Sequence, residues 1–137
     1  MLSSTAEYAL RAVLHVAEHA SERPVRVGEV ARALGIPQNY LSKIMHELAR
    51  EGVLASMRGK HGGFRLAVPA GQLSLLSVVG RFDAIAEGRS CLLGRPECSD
   101  RGACAVHWRW KAVSEQLAAF FSETTVGDLL GGAGLAA

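Results

Sequence analysis

Residues 28–63 read GEVARALGIPQNYLSKIMHELAREGVLASMRGKHGG, and the order of signals in this stretch decides the fold. Val30, Ala31 and Leu34 fall on one helical face and Gly35 is placed as a C-terminal cap, so a short helix is expected over 28–34. Pro37 suits the first position of a second helix, whose apolar stripe of Leu41, Ile44, Met45 and Leu48 stops at Gly52. Helix, tight glycine turn, helix is the helix-turn-helix arrangement. Val53 to Met57 then reads as a strand, Gly59 to Gly63 as a loop, and Phe64 to Val68 as the returning strand before Pro69. The result is a winged helix-turn-helix whose hairpin has a basic tip.

Upstream, Ser4 with Glu7 forms the sequence signature of a capping box, and Ala9, Ala12, Val13, Val16 and Ala20 recur at helical spacing, predicting a first helix over about 4–20 that Pro24 ends. Val25 to Val27 is a short extended link. Downstream, Ser74 to Ala86 offers Leu75, Leu76, Val78, Val79, Phe82 and Ile85, enough for a further helix. Residues 87–104, rich in Gly, Pro, Arg and Cys without periodicity, read as a loop. Beyond Cys104 the apolar residues Val106, Trp110, Val113, Leu117 and Phe120 step by four, three, four and three, a narrow seam of coiled-coil type. A chain this small has little core left to cover such a helix, so the seam is expected to pair with a second copy in a twofold dimer. Thr125 with Asp128 opens a last short helix, and Gly131 to Ala137 should fray. The expected fold is therefore mainly α with a small β-hairpin wing, ending in a long C-terminal dimerisation helix. Residues 1–70 form the winged helix-turn-helix domain, and residues 71–137 carry a cluster-binding loop (87–107) and the dimerisation helices.

The 137 residues are 49% hydrophobic and 20% charged, with no apolar run of membrane-crossing length and no basic start or apolar leader, which points to a soluble cytoplasmic protein. Net charge is only +2, but residues 1–70 hold nine Lys/Arg against six Asp/Glu, and residues 58–65 hold three basic residues and no acid. The local excess suits a polyanion better than the total suggests. Five histidines are present. No nucleophile-elbow, phosphate-binding or metalloprotease motif accompanies them, so an enzyme is not expected.

In a helix-turn-helix the second helix enters the major groove with its N-terminal residues near base edges. Here those are Gln38, Asn39, Tyr40, Ser42 and Lys43: Gln and Asn match adenine, Ser donates or accepts, and Lys meets guanine or phosphate. A solvated polar face would look the same taken alone. The wing, Arg58, Gly59, Lys60 and His61, adds cations on a glycine-rich tip able to approach a phosphate backbone or a narrow minor groove. The two together, in this order, favour double-stranded DNA as the partner.

All three cysteines, Cys91, Cys98 and Cys104, lie within fourteen residues, followed by His107. An odd number in a reducing compartment does not close a disulfide framework. Three thiolates and an imidazole suit an iron–sulfur cluster. Zinc accepts the same atoms but usually sits on short Cys-x2-4-Cys knuckles, which are missing here. A cluster-free thiol-redox or zinc-stabilised regulator is the alternative, and buried apolar packing of the thiols fits poorly with Ser90, Arg95, Glu97, Ser99, Asp100 and Arg101 as neighbours.

Tyr8-Ala9-Leu10-Arg11, Tyr40-Leu41, Arg58-Gly59-x-x-Gly62-Gly63, the three cysteines and Thr125-Val126-Gly127-Asp128-Leu129 together resemble the bacterial winged-helix iron–sulfur and nitric-oxide sensing transcriptional regulators, the IscR/NsrR-like family. The resemblance covers nearly the whole chain. It implies a homodimer crossed through the long C-terminal helix, a cluster of 2Fe–2S or 4Fe–4S type, and control, as a repressor or an activator, of promoters with palindromic operators. It also implies Cys91, Cys98, Cys104 and His107 as cluster ligands. Glu7, contributed by the partner subunit, is the alternative fourth ligand, since some members use an acidic residue there. Six residues separate the first two cysteines where IscR has five, and Ser42 stands where IscR uses a glutamate for base discrimination, so the operator sequence does not carry over.

Overall fold

A computed structural model describes residues 2–20, 22–87, 91–93 and 99–130. Its helices are α1 (Ser4–His19), α2 (Val27–Leu34), α3 (Gln38–Arg50), α4 (Leu75–Val79), α5 (His107–Glu123) and α6 (Val126–Leu130). A hairpin of β1 (Leu54–Met57) and β2 (Gly63–Leu66) follows α3, and 3-10 turns occupy Ala70–Gln72 and Ala84–Glu87. No helix is long and apolar enough to cross a membrane among the described residues.

Small side chains let α1 lie deep in the domain. Ala6, Ala9, Ala12, Val13 and Val16 are fully buried, and Leu41, Met45 and Leu48 of α3 meet them with at most 1% exposure. The apolar stripes predicted for both helices are the faces they bury, which is the usual reason a short amphipathic helix is stable in water. Gly35 ends α2 in the left-handed conformation (φ 67°), as its position predicts. Pro37 sits one residue outside α3, as its N-cap.

The hairpin pairs Leu54 with Leu66 and Met57 with Gly63. Two strands alone are marginal in water. This pair is held by Val25, whose N–H donates to the Phe64 carbonyl (2.9 Å) and whose carbonyl accepts from Phe64 (2.7 Å), and by the buried Phe64 ring. Gly63 is required there: its φ is 146°, and a Cβ would lie 2.7 Å from the Val25 carbonyl oxygen.

Two expectations are corrected. Ser3, not Ser4, caps α1: its hydroxyl accepts from Ala6 N–H at 3.1 Å, while its own N–H donates to Asp83 Oδ2 at 2.7 Å. Glu7 is thereby released from the reciprocal role proposed for it and is exposed. The helix expected over 74–86 stops at Val79, because Gly80 follows and Arg81 and Asp83 turn away to partners distant in sequence. The capping box of α6 is as expected, with Asp128 N–H on Thr125 Oγ1 (3.1 Å) and Thr125 N–H on Asp128 Oδ2 (2.9 Å). Val126 N–H to the Leu73 carbonyl (2.8 Å) and Leu75 N–H to the Thr124 carbonyl (2.9 Å) fasten α6 to the start of α4. The expected fraying after Gly131 falls outside the described residues.

Candidate nucleic-acid interface and metal centre

On α3, Gln38, Asn39, Tyr40 and Lys43 are exposed, and Ser42 is half-buried. Gln38 lies over the start of α2, its amide oxygen 3.5 Å from where a Cβ on Gly28 would stand. Tyr40 is turned toward α1, its hydroxyl bonded to the Thr5 hydroxyl and its ring edge-on to Tyr8 at 5.8 Å. His46 Nδ1–H donates to the Ser42 carbonyl at 2.7 Å, which fixes the ring one turn below the polar face.

Arg58, Gly59, Lys60 and His61 are all exposed at the hairpin tip. Gly59 turns with φ 102°, and its carbonyl accepts from Gly62 N–H (3.0 Å). The Arg26 guanidinium, at the N-cap of α2, donates to the Lys60 carbonyl and so ties the wing to the helix-turn-helix. Between wing, α2 and α3 lies a groove of about 440 Å3, lined among others by Arg26, Arg32, Gln38, His46, Gly59 and Phe64. Arg26, Arg32 and His46 escaped the sequence reading. The two arginines belong to the basic excess visible in the sequence, but only the fold puts them and His46 in one groove with Gln38.

Cys91 and Cys104 are half-buried, and Cys98 lies outside the described residues. The helix starts at His107 rather than near Cys104, so these two do not share a helical face. A turn closed by His107 N–H on the Cys104 carbonyl (3.1 Å) links their backbones instead. His107 is 3% exposed, and its Nε2 meets Asp100 Oδ1 at 2.7 Å. Lys111 Nζ also reaches Asp100, at 3.0 Å. The hydrogen bonds from His107 and then Lys111 hold the Asp100 carboxyl below its usual range. A carboxylate only accepts, so in this contact Nε2 carries the proton. Beside this pair a cavity of about 500 Å3 is walled by Ser99, Asp100, Arg101, His107, Lys111, Ser114 and Glu115. Ser114 Oγ is buried there without a hydrogen-bond partner. Among the described residues no three His, Cys, Asp or Glu side chains converge on a metal position.

On α5 the buried line is His107, Ser114 and Phe121, seven residues apart. Of the expected seam, Val113 (47%) and Phe120 (52%) are exposed, while Val106, Trp110 and Leu117 are half-buried beside that line.

Residues 2–132 match the family model Rrf2, described as iron-dependent transcriptional regulator. The HTH-type transcriptional regulator IscR of Vibrio atlanticus is 31% identical over 129 residues, covering 94% of this chain and 74% of that protein. Among solved structures, CymR of B. subtilis, titled the global cysteine regulator, superposes with TM-score 0.79 at 19% identity over 94% of this chain and 95% of that one. T. potens IscR gives TM-score 0.76 at 20% identity over 95% and 85% of the two chains.

Proposed function

Because this chain belongs to the Rrf2 family of transcriptional regulators, we propose that it acts as a homodimer on palindromic promoter DNA, as a repressor whose affinity is set by an iron–sulfur cluster. It is not an enzyme. The observation that carries the DNA reading is the groove between the wing, the N-terminus of α2 and α3, in which Arg26, Arg32 and His46 outnumber the one acid, Glu29, and Arg26 ties the wing to α2. A regulator of promoters works where the chromosome is, so the cytoplasm is its place.

In this reading Gln38, Asn39, Ser42 and Lys43 meet base edges, while Arg58, Lys60 and His61 meet phosphates or the minor groove. Tyr40, turned to α1, holds the helix that carries them. Arg58→Ala and Lys60→Ala are expected to weaken binding with little loss of fold, each lowering the salt slope by about one. Gln38→Ala and Asn39→Ala are expected to relax preference at individual base pairs, by about 1–3 kcal/mol each. The test is selection of duplexes from a random pool, followed by titration at several salt concentrations. Failure to select an inverted repeat, or an unchanged slope in both wing variants, overturns the DNA assignment. A uniform loss across duplex variants removes α3 as the reader.

The chemistry of the donor set supports a cluster. Half-buried thiols suit iron, and the Asp100–His107 pair is the carboxylate–histidine arrangement that fixes the tautomer of a ligating imidazole. Cys91, Cys98, Cys104 and His107 would hold the cluster, with Glu7 of the partner subunit as the alternative fourth ligand. Bound there, it would supply a centre sensitive to iron supply, oxidation or nitric oxide.

A further inference from the structure

We infer that Arg81 and Asp83 are positioning residues through which the segment entering the cysteine loop holds the recognition helix α3 at both ends. The inference rests on the function just proposed and names the route of its regulation.

The two contacts diverge from one short segment. Arg81 Nε meets Glu47 Oε1 at 3.0 Å and Glu51 Oε1 at 3.8 Å, gripping the C-terminal half of α3 directly. Asp83, two residues on, accepts from Ser3 N–H at 2.7 Å, and the Ser3 hydroxyl donates to the Phe82 carbonyl at 3.4 Å while capping α1. Two residues on from Ser3, Thr5 bonds the Tyr40 hydroxyl, and Tyr8, a turn further, meets the Tyr40 ring. Tyr40 stands in the first turn of α3, beside Gln38 and Asn39. Thus the first turn of α1 works as a rigid arm from Asp83 to the N-terminal turn of α3, and Arg81 holds the other end.

These contacts are a poor device for stability. The Arg81 side chain is 60% exposed, and exposed ion pairs and hydrogen bonds contribute little where water is an adequate partner. The buried alanines and leucines of α1 and α3 already hold the domain together. What the polar contacts add is orientation. A displacement of the 81–83 segment would carry both contacts with it and so turn α3 relative to the wing. Base readout falls steeply with such displacement, because hydrogen bonds weaken sharply with distance and angle. Coupling of this kind needs an element that both sites bias, and the 81–83 segment with the first turn of α1 is that element.

The test compares the full-length protein purified without oxygen with the same protein after iron chelation, both titrated against the selected duplex. In the parent the two affinities should differ by about 5–150-fold, the usual range for coupled sites. Arg81→Ala combined with Asp83→Ala should bring the ratio within about twofold of one at unchanged iron content. Asp83→Asn, which still accepts from Ser3 N–H, should keep it. The charge swap Arg81→Glu with Glu47→Arg should restore what Arg81→Glu alone loses. A parental ratio retained in the double alanine variant overturns the inference. Should the parent carry no cluster or show no ratio, the proposed function fails on the parent alone, and amide hydrogen exchange then decides the positioning role. Faster exchange across Leu41 to Ile44 in the double variant supports it, and unchanged exchange overturns it.

Discussion

Val113→Asp and Phe120→Asp, singly or with Leu117→Asp, are expected to turn a dimer into a monomer at micromolar concentration while leaving each chain folded. Val113 and Phe120 are about half exposed on the isolated chain, so a carboxylate there is solvated and α5 keeps its inner face of His107, Ser114 and Phe121. In a paired seam the same carboxylate is buried without a partner, at a cost of roughly 3–5 kcal/mol, which is two to four decades in the dimer constant. Operator affinity should fall with it, since a palindrome is read by two half-sites held at fixed spacing. Sedimentation equilibrium checks the first expectation and duplex titration the second. Dimers persisting at micromolar concentration in the triple variant would remove the seam from the account.

The second large effect concerns the fourth ligand. His107→Ala is expected to lower cluster content and change the visible spectrum, whereas Glu7→Ala leaves both as in the parent. His107 is buried, its tautomer is set by Asp100, and the turn 104–107 ties its backbone to Cys104. Asp100→Asn is expected to weaken iron retention by about 10–100-fold, as removal of an outer-shell carboxylate does. The measurement is iron per chain and the absorption spectrum, taken without oxygen. A spectrum altered by Glu7→Ala and untouched by His107→Ala would mean that the cluster bridges subunits.

The helix-turn-helix and wing were legible because their signals are local: a 3.6-residue apolar period, a glycine placed to end α2 at 35, and a glycine-rich tip between two strand-like runs. What was misread depends on residues far apart in the chain. Ser3 and Ser4 are equally good caps by sequence, and the choice falls to Asp83, some eighty residues on. The apolar spacing through Phe82 and Ile85 promised a helix that Gly80 and the partners of Arg81 and Asp83 interrupt. Asp100 lay in an aperiodic loop with nothing to mark it as the partner of His107. Tyr40 reads as a base contact from its position in the second helix, and nothing in the sequence marks the contact that its hydroxyl makes with Thr5. Arg26 and Arg32 looked like scattered surface charge until α2 and the wing came together around them.

The proposal as a whole turns on the cysteine site, and the most direct measurement is the absorption spectrum of the parent protein purified without oxygen, with iron and acid-labile sulfide determined on the same sample. A brown protein holding iron and sulfide in equal amounts, bleached by chelation and by Cys104→Ser, is the predicted result. A colourless protein that takes up neither iron nor sulfide on anaerobic reconstitution, yet still binds its duplex, would contradict it.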